Sequence, residues 1–174
     1  MEIQMQIRKS TLSDIADILK VFDAAKIYMA AEGNTTQWVD GYPDRSIIED
    51  DIAHGYSYVC EQNNRIIATF YFAPGPDPDY ITMKEGAWLP DPRPYYVIHH
   101  IATDGTVKGT GSFCFQWAQN QVEHIRIDTH EDNITMQNIL RKFGFVKTGK
   151  IDLSKGGERI TFQWLQHSDK CHYS

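Results

Sequence analysis

This 174-residue chain lacks the cysteine patterns that would frame a fold with covalent or metal bonds. Its three cysteines, Cys60, Cys114 and Cys171, are scattered, odd in number and never form a CxxC pair. Neither a disulfide framework nor a cysteine zinc site is therefore indicated, and inert thiols are expected. No apolar run approaches the roughly 20 residues of a membrane span. The opening MEIQMQIRKS alternates in polarity and lacks the apolar stretch of a secretory leader, so a cytoplasmic protein without membrane contact is expected. Basic residues are also few: 17 Lys and Arg against 23 Asp and Glu give a net charge of −6. That balance argues against a nucleic-acid partner, which calls for a basic face. There is no GxxxxGK[ST] loop, and neither HExxH nor HxxxH occurs. His124, Asp128 and His130 straddle a strand end and a loop with no ligand spacing, so they are read as structural, with no metal.

The residues that are present describe an ordinary globular chain, 41% hydrophobic and 23% charged. One domain over 1–167 is expected, with a C-terminal tail at 168–174. Ile3, Met5 and Ile7 alternate as a first strand. Thr11 and Asp14 resemble a capping box ahead of a helix over about 12–31, and a second helix covers Arg45–His54. Strands at Tyr56–Glu61 and Arg65–Phe72 are joined by Asn63-Asn64 as a tight hairpin. Six of the seven prolines fall in 73–94, too long and broken for a core element. This segment is read as an ordered excursion over one face, either a lid or acceptor loop or structural decoration. Beyond it follow a strand at Tyr95–Thr103, a helix from about Gly109, and a short strand at Ile125–Ile127. A helix from Asn133, ended by Gly144, precedes strands at Phe145–Ile151 and Glu158–Leu165. The sum is a mixed α/β architecture with helices on both faces of a sheet.

Chemistry concentrates in Tyr95–Ser112, YYVIHHIATDGTVKGTGS. A helix that opens on Lys-Gly-Thr-Gly-Ser presents unpaired N–H groups and a positive dipole end, which suits a phosphate. Gly109 and Gly111 let an anion approach the backbone, and Thr110 and Ser112 add hydroxyls. It is no dinucleotide fingerprint, because Phe113–Phe115 puts bulk where a third glycine would sit. His99 and His100 would point to opposite faces of their strand, with His99 sharing the side of Val97, Ile101 and Thr103. A neutral imidazole at one of them can take a proton from an ammonium. Hydrogen bonding to backbone is the simpler use of His100. Trp38, Tyr80 and Trp88 lie in polar loops, where they could wall a substrate pocket or anchor the loops on the core.

The glycine turn is followed, about 20 residues on, by Asn133-Ile-Thr-Met136-Gln-Asn-Ile139-Leu140-Arg-Lys-Phe143-Gly144-Phe145. The two segments in that order resemble the GCN5-related N-acetyltransferase (GNAT) family, most densely over Tyr95–Ile151. The resemblance implies a mostly antiparallel central sheet with helices on both faces, the acyl-CoA N-acyltransferase fold, with acetyl-CoA bound between two splayed strands. It further implies that the backbone of Ile101, Ala102 and Thr103 pairs with the pantetheine arm. The N–H groups from Val107 through Lys108, Gly109, Thr110 and Gly111 to Ser112 would hold the pyrophosphate, with charge from Lys108. Asn133 would bond the pantetheine or fix the cleft. His99 would be the base, at a position where some relatives carry Glu or His.

Two departures stand out. The Gln or Arg usual three residues before the first glycine is Thr106, and the tyrosine that meets the departing thiolate is Leu140. Tyr28, Tyr95, Tyr96 and His130 are substitute donors with nothing to rank them. The expected activity is transfer of acetyl from acetyl-CoA to a small-molecule primary amine in a ternary complex, without metal, and a homodimer is allowed. A non-catalytic acyl-CoA sensor is the alternative suggested by Leu140. A phosphotransferase would need an acidic magnesium-binding pair near the glycine turn, where only Asp104 lies close.

Overall fold

The computed structural model describes residues 4–167. They form one eight-stranded sheet: β1 (Gln6–Lys9), β2 (Ser57–Gln62), β3 (Arg65–Pro74), β4 (Glu85–Gly86), β5 (Tyr96–Thr103), β6 (His124–Thr129), β7 (Val146–Asp152) and β8 (Glu158–Leu165). The spatial order is β1-β2-β3-β5-β6-β8-β7-β4, and every neighbouring pair is antiparallel except β5 with β6. Four helices complete it: α1 (Ile15–Ala31), α2 (Arg45–His54), α3 (Thr110–Gln121) and α4 (Ile134–Lys142).

Local chemistry sets these boundaries. The Asp14 carboxylate reaches back to the Thr11 N–H at 2.7 Å and takes a bidentate pair from Arg8 at 2.8 and 3.0 Å. The arginine bond holds the Asp14 carboxyl below its ordinary range. A 3-10 turn at Leu12–Asp14 absorbs this cap, so α1 itself starts at Ile15. Asn63 and Asn64 both have φ near +60° (56° and 60°), the primed hairpin geometry expected between β2 and β3.

Each helix pair covers one face. Ile15, Ile18, Val21, Phe22 and Ala25 of α1, with Ile48 of α2, pack on Val59, Ile66 and Ala102. On the other face Cys114, Phe115 and Ala118 of α3 and Leu140 of α4 pack on Phe70, Phe72, Ile98, Ile125, Ile127 and Phe162. Cys60 and Cys114 are buried free thiols, and Cys171 lies outside the described residues, as does Ile3.

The proline-rich excursion is ordered into a 3-10 turn at Pro78–Tyr80 and the short β4. It leaves β3 in the middle of the sheet and returns β4 to the far edge beside β7. Tyr80 plugs into a third cluster with Ala73, Val97 and Ile151 and is 1% exposed. A two-residue strand has no period to read, which is why β4 is absent from the sequence expectation.

Candidate active site

The site begins where β5 and β6 part. The two strands pair only at Tyr96↔Ile125 and Val97↔Arg126. Past Val97 the β6-facing edge of β5 has no strand partner, so its backbone groups face a cleft. Crossing between β3 and β5 slips at the same place: Thr69 opposes Ala102 and Tyr71 opposes His99, so two steps on β3 match three on β5. The extra residue is a β-bulge, and His100 carries it with φ of +36°.

The bulge corrects the expected placement of the histidines. It resets the alternation, so His99 and His100 point to the same face, and the ring of Tyr71 lies 5.5 Å from one and 5.8 Å from the other. Ile101, expected beside His99, packs instead into the α3 and α4 side. His100 is not bonded to backbone. Its Nε2 meets Asp51 Oδ2 at 2.9 Å, and an ionised carboxylate only accepts, so Nε2 carries the hydrogen. Nδ1 then accepts from the Tyr42 hydroxyl at 3.1 Å. Both nitrogens are occupied and the side chain is 6% exposed. Burial pushes its pKa below 6.5 against the pull of Asp51, so His100 is neutral and fully bonded.

His99 differs on each count. Its Nε2–H donates to Asp77 Oδ2 at 2.7 Å, which leaves the Nδ1 lone pair free, 3.9 Å from Asp128 Oδ2. The side chain is 27% exposed. Burial lowers its pKa, but the Asp77 bond and the charges of Asp128, Asp77 and Asp51 outweigh that and raise it above 6.5. Asp128 accepts the Tyr80 hydroxyl at 2.6 Å. His99 is thus an imidazole fixed in one tautomer with an accessible basic nitrogen.

A cavity of about 380 Å³ fills the cleft between β5, α1 and α4. Of the residues expected at a cofactor, Ile101, Ala102, Thr103, Val107, Lys108, Gly111 and Asn133 line it, whereas Gly109, Thr110 and Ser112 do not. Gly109 instead serves the turn, with φ of +84° at the N-cap of α3. The Thr110 hydroxyl, expected as a free donor, is spent on the Val107 carbonyl at 2.7 Å. Thr106 donates through its hydroxyl to Asp104 Oδ1 at 2.6 Å, and Arg65 offsets that acid at 2.9 Å. Asn133 caps α4 through Met136 N at 3.0 Å and donates to Gln37 Oε1 at 3.0 Å, so its amide braces the cleft wall. Leu140 is 0% exposed in the core and lines no part of the cavity. Of the four substitute donors, Tyr28 lines it; Tyr95 accepts from Asp77 N, Tyr96 packs on Phe72, and His130 is held by Thr36 and Asp132.

A second cavity, about 240 Å³, adjoins the first through Gln37, Trp38, His100 and Asp128. His99, Tyr42, Asp79, Leu153, Ser154, Lys155 and Arg159 complete its wall. Trp38 therefore faces both spaces. Tyr80 and Trp88 line neither: the Trp88 indole donates to the Tyr80 carbonyl at 2.8 Å and its ring stacks on Arg126. They anchor the excursion on the core. His124 is likewise structural, bonded to the Arg93 carbonyl and Gln163 at 2.9 and 2.8 Å. Asp77, Gln37, Tyr42, Lys155 and Arg159 escaped the sequence reading. The signal for Arg159 was the polar file Arg159, Thr161, Gln163 on a strand whose two faces are both buried.

No family model matches the sequence, and no curated protein matches it. Among solved structures, a GNAT-family acetyltransferase from Streptococcus agalactiae 2603 is 32% identical with a TM-score of 0.86, covering 97% of this chain and 99% of its own. The chain belongs to the GNAT family. Two further structures agree in fold. A GNAT-family acetyltransferase from Listeria monocytogenes 4b F2365 is 18% identical with a TM-score of 0.67, covering 94% of this chain and 95% of its own. The ribosomal-protein-S18-alanine N-acetyltransferase from Escherichia coli is 12% identical with a TM-score of 0.62, covering 98% and 100%. The splayed pair β5 and β6 is the feature of this GNAT chain that opens the cleft, and the family's acetyltransferases imply the use of acyl-CoA.

Proposed function

We propose that the protein transfers the acetyl group of acetyl-CoA to a primary amine of a small molecule, by direct attack within a ternary complex. The observation that carries this reading is the free Nδ1 of His99, which opens into a cavity sharing a wall with the cleft. The pantetheine arm lies along the open edge of β5 at Ile101, Ala102 and Thr103. The pyrophosphate meets the N–H groups between Val107 and Ser112, with Lys108 nearby, at the dipole end of α3. His99 Nδ1 takes the proton of the ammonium; the amine nitrogen then bonds to the acetyl carbon, and the C–S bond breaks. The sulfur leaves as thiolate, at modest cost for a thiol with a pKa of about 8.5. The second proton that the nitrogen sheds on becoming an amide goes through water to that sulfur, while His99 returns its proton to solvent; Leu140 need not be replaced by another acid. Rate comes from positioning and from the base.

Turnover of acetyl-CoA against a panel of amines tests the reading. His99→Ala is expected to lower kcat by about 10²-fold or more, the usual contribution of a positioned base, while the CoA dissociation constant stays within about twofold. Full activity of that variant near neutral pH would remove His99 from its role. Leu140 favours one rival, an acyl-CoA sensor, and tight CoA binding with no turnover beyond hydrolysis would select it.

A further inference from the structure

The second cavity is lined by two cations that form no ion pair among the described residues. Arg159 is 7% exposed, and Arg8, Arg45, Arg65 and Arg93 each meet a carboxylate where Arg159 has none among the described residues. Its Nη1 donates to the Glu158 carbonyl at 2.8 Å and its Nη2 to the Gln37 carbonyl at 2.9 Å. Two of five guanidinium hydrogens are so used, and the plane of the group is fixed against the cavity. The neighbouring Glu158 carboxylate is turned away, held by Lys84 at 2.8 Å and Lys150 at 3.3 Å. Lys155 Nζ sits 3.2 Å from the centre of the Tyr42 ring and likewise meets no carboxylate within ion-pair distance among the described residues. Burial lowers the pKa of both, and the charge of Arg159 lowers Lys155 further; Asp128 acts the other way on both and Asp79 on Lys155, without reversing the shift.

The acids of the same wall are already engaged or lie apart. Asp128 accepts from Tyr80, and Asp79 Oδ1 accepts the Ser154 N–H at 3.0 Å. The acids behind the histidines, Asp77 and Asp51, are bonded to His99 and His100. A buried guanidinium without a counter-ion is costly unless a ligand supplies one. A guanidinium and an ammonium side by side suit a carboxylate, which the fork can hold in two bonds. In the same cavity, Asp128, whose charge also reaches both cations, and the free Nδ1 of His99 suit an ammonium.

We propose that the acceptor is a compact amino acid-like molecule, its carboxylate seated on Arg159 and Lys155 and its amine presented between Asp128 and His99. This assignment deepens the transferase reading and rests on it for the identity of the bound molecule as acceptor. The 240 Å³ space fits a small zwitterion and not an extended polycation.

Matched pairs of amino acids and their carboxamides, assayed as acceptors with acetyl-CoA, are the test. The acids are expected to exceed the amides in kcat/KM by about 10- to 100-fold, the worth of a charge-assisted bond, mostly through KM. Lys155→Met, on an exposed side chain, and Arg159→Gln are each expected to collapse that preference, and Arg159→Lys to restore part of it. A merely structural Arg159 would lower both substrates equally, and equal use of acid and amide by the wild type would overturn the proposal. Titration with succinate, which has no amine, separates the two readings. Saturable shifts of the Arg159 side-chain ¹⁵N–H resonances, lost in Lys155→Met, support the anion seat even if no amine turns over. Unmoved resonances up to tens of millimolar succinate sink the seat whatever the transferase assay gives.

Discussion

Two adjacent histidines on one strand shift in opposite directions although each gives its Nε2–H to a carboxylate, because burial outweighs Asp51 at His100 whereas Asp77, Asp128 and Asp51 together outweigh burial at His99. At His100 both ring nitrogens are bonded; at His99 one is. The raised pKa of His99 sets the pH dependence. A base must be neutral, so kcat/KM is expected to rise with pH through a limb above 6.5. Asp77→Asn removes the charge and leaves only a neutral acceptor for the Nε2–H, so the limb is expected to move to lower pH in a pH–rate profile. The same pair is linked to stability. A raised histidine stabilises the fold below its unfolded value and loses that as pH climbs through the folded one. A lowered Asp77 stabilises above its unfolded value and loses that as pH falls. The stability deficit of Asp77→Asn is therefore expected to be largest between pH 3.8 and 6.5, the ordinary values of the two groups, as read by thermal melts across pH. A limb that stays in place would detach Asp77 from the chemistry.

At the scale of elements, long periodic segments were legible and irregular ones were not. α1, α2, α3 and α4 and the strands β2, β3, β5, β6, β7 and β8 follow from their apolar spacing, because a helix or strand with one buried face must write its period into the sequence. The bulge in β5 breaks that rule: one inserted residue turns His100 to the side of His99, and no residue type marks it, histidine at φ of +36° least of all. Asp77 was hidden for a related reason. It lies in a loop whose path depends on Tyr80 and Trp88 finding the core, which is a tertiary event. The start of α3 was legible from its glycines, and it supports a direct test. A Cβ on Gly111 would meet only Ile139 Cδ1, at 3.7 Å, so the fold has room for a small side chain there. A tryptophan would fill the cleft. Gly111→Trp is expected to weaken CoA binding by at least about 10²-fold in calorimetry, the loss of the pyrophosphate bonds, with circular dichroism unchanged. CoA affinity within a few-fold of the wild type would move the pyrophosphate elsewhere.

At the scale of the molecule, one sheet serves two spaces because it opens along a single seam. The pairing of β5 with β6 at only two positions creates the cleft, while β8, carried beside β6, brings Arg159 under the second cavity. The family and the cleft could be read from two motifs in order. The second cavity could not, because it is assembled from the loop around Trp38, the 3-10 turn near Asp79 and the turn at Lys155, which are far apart in sequence.

One amide stands between the two spaces. Gln37 Oε1 accepts from Asn34 at 2.8 Å and from Asn133 at the head of α4, while its carbonyl holds Arg159. Gln37 thus touches both spaces, and a coupling between the two substrates through it would have each alter the other's affinity by the same factor. In the wild type the dissociation constant of CoA is expected to change when the second cavity is filled, and Gln37→Ala is expected to bring that ratio to one in calorimetric titrations with and without acceptor. An unchanged ratio in the variant would assign the communication to another route. Coupling by that route would make the strength of the ternary complex, relative to its two binary halves, a property of a single side chain.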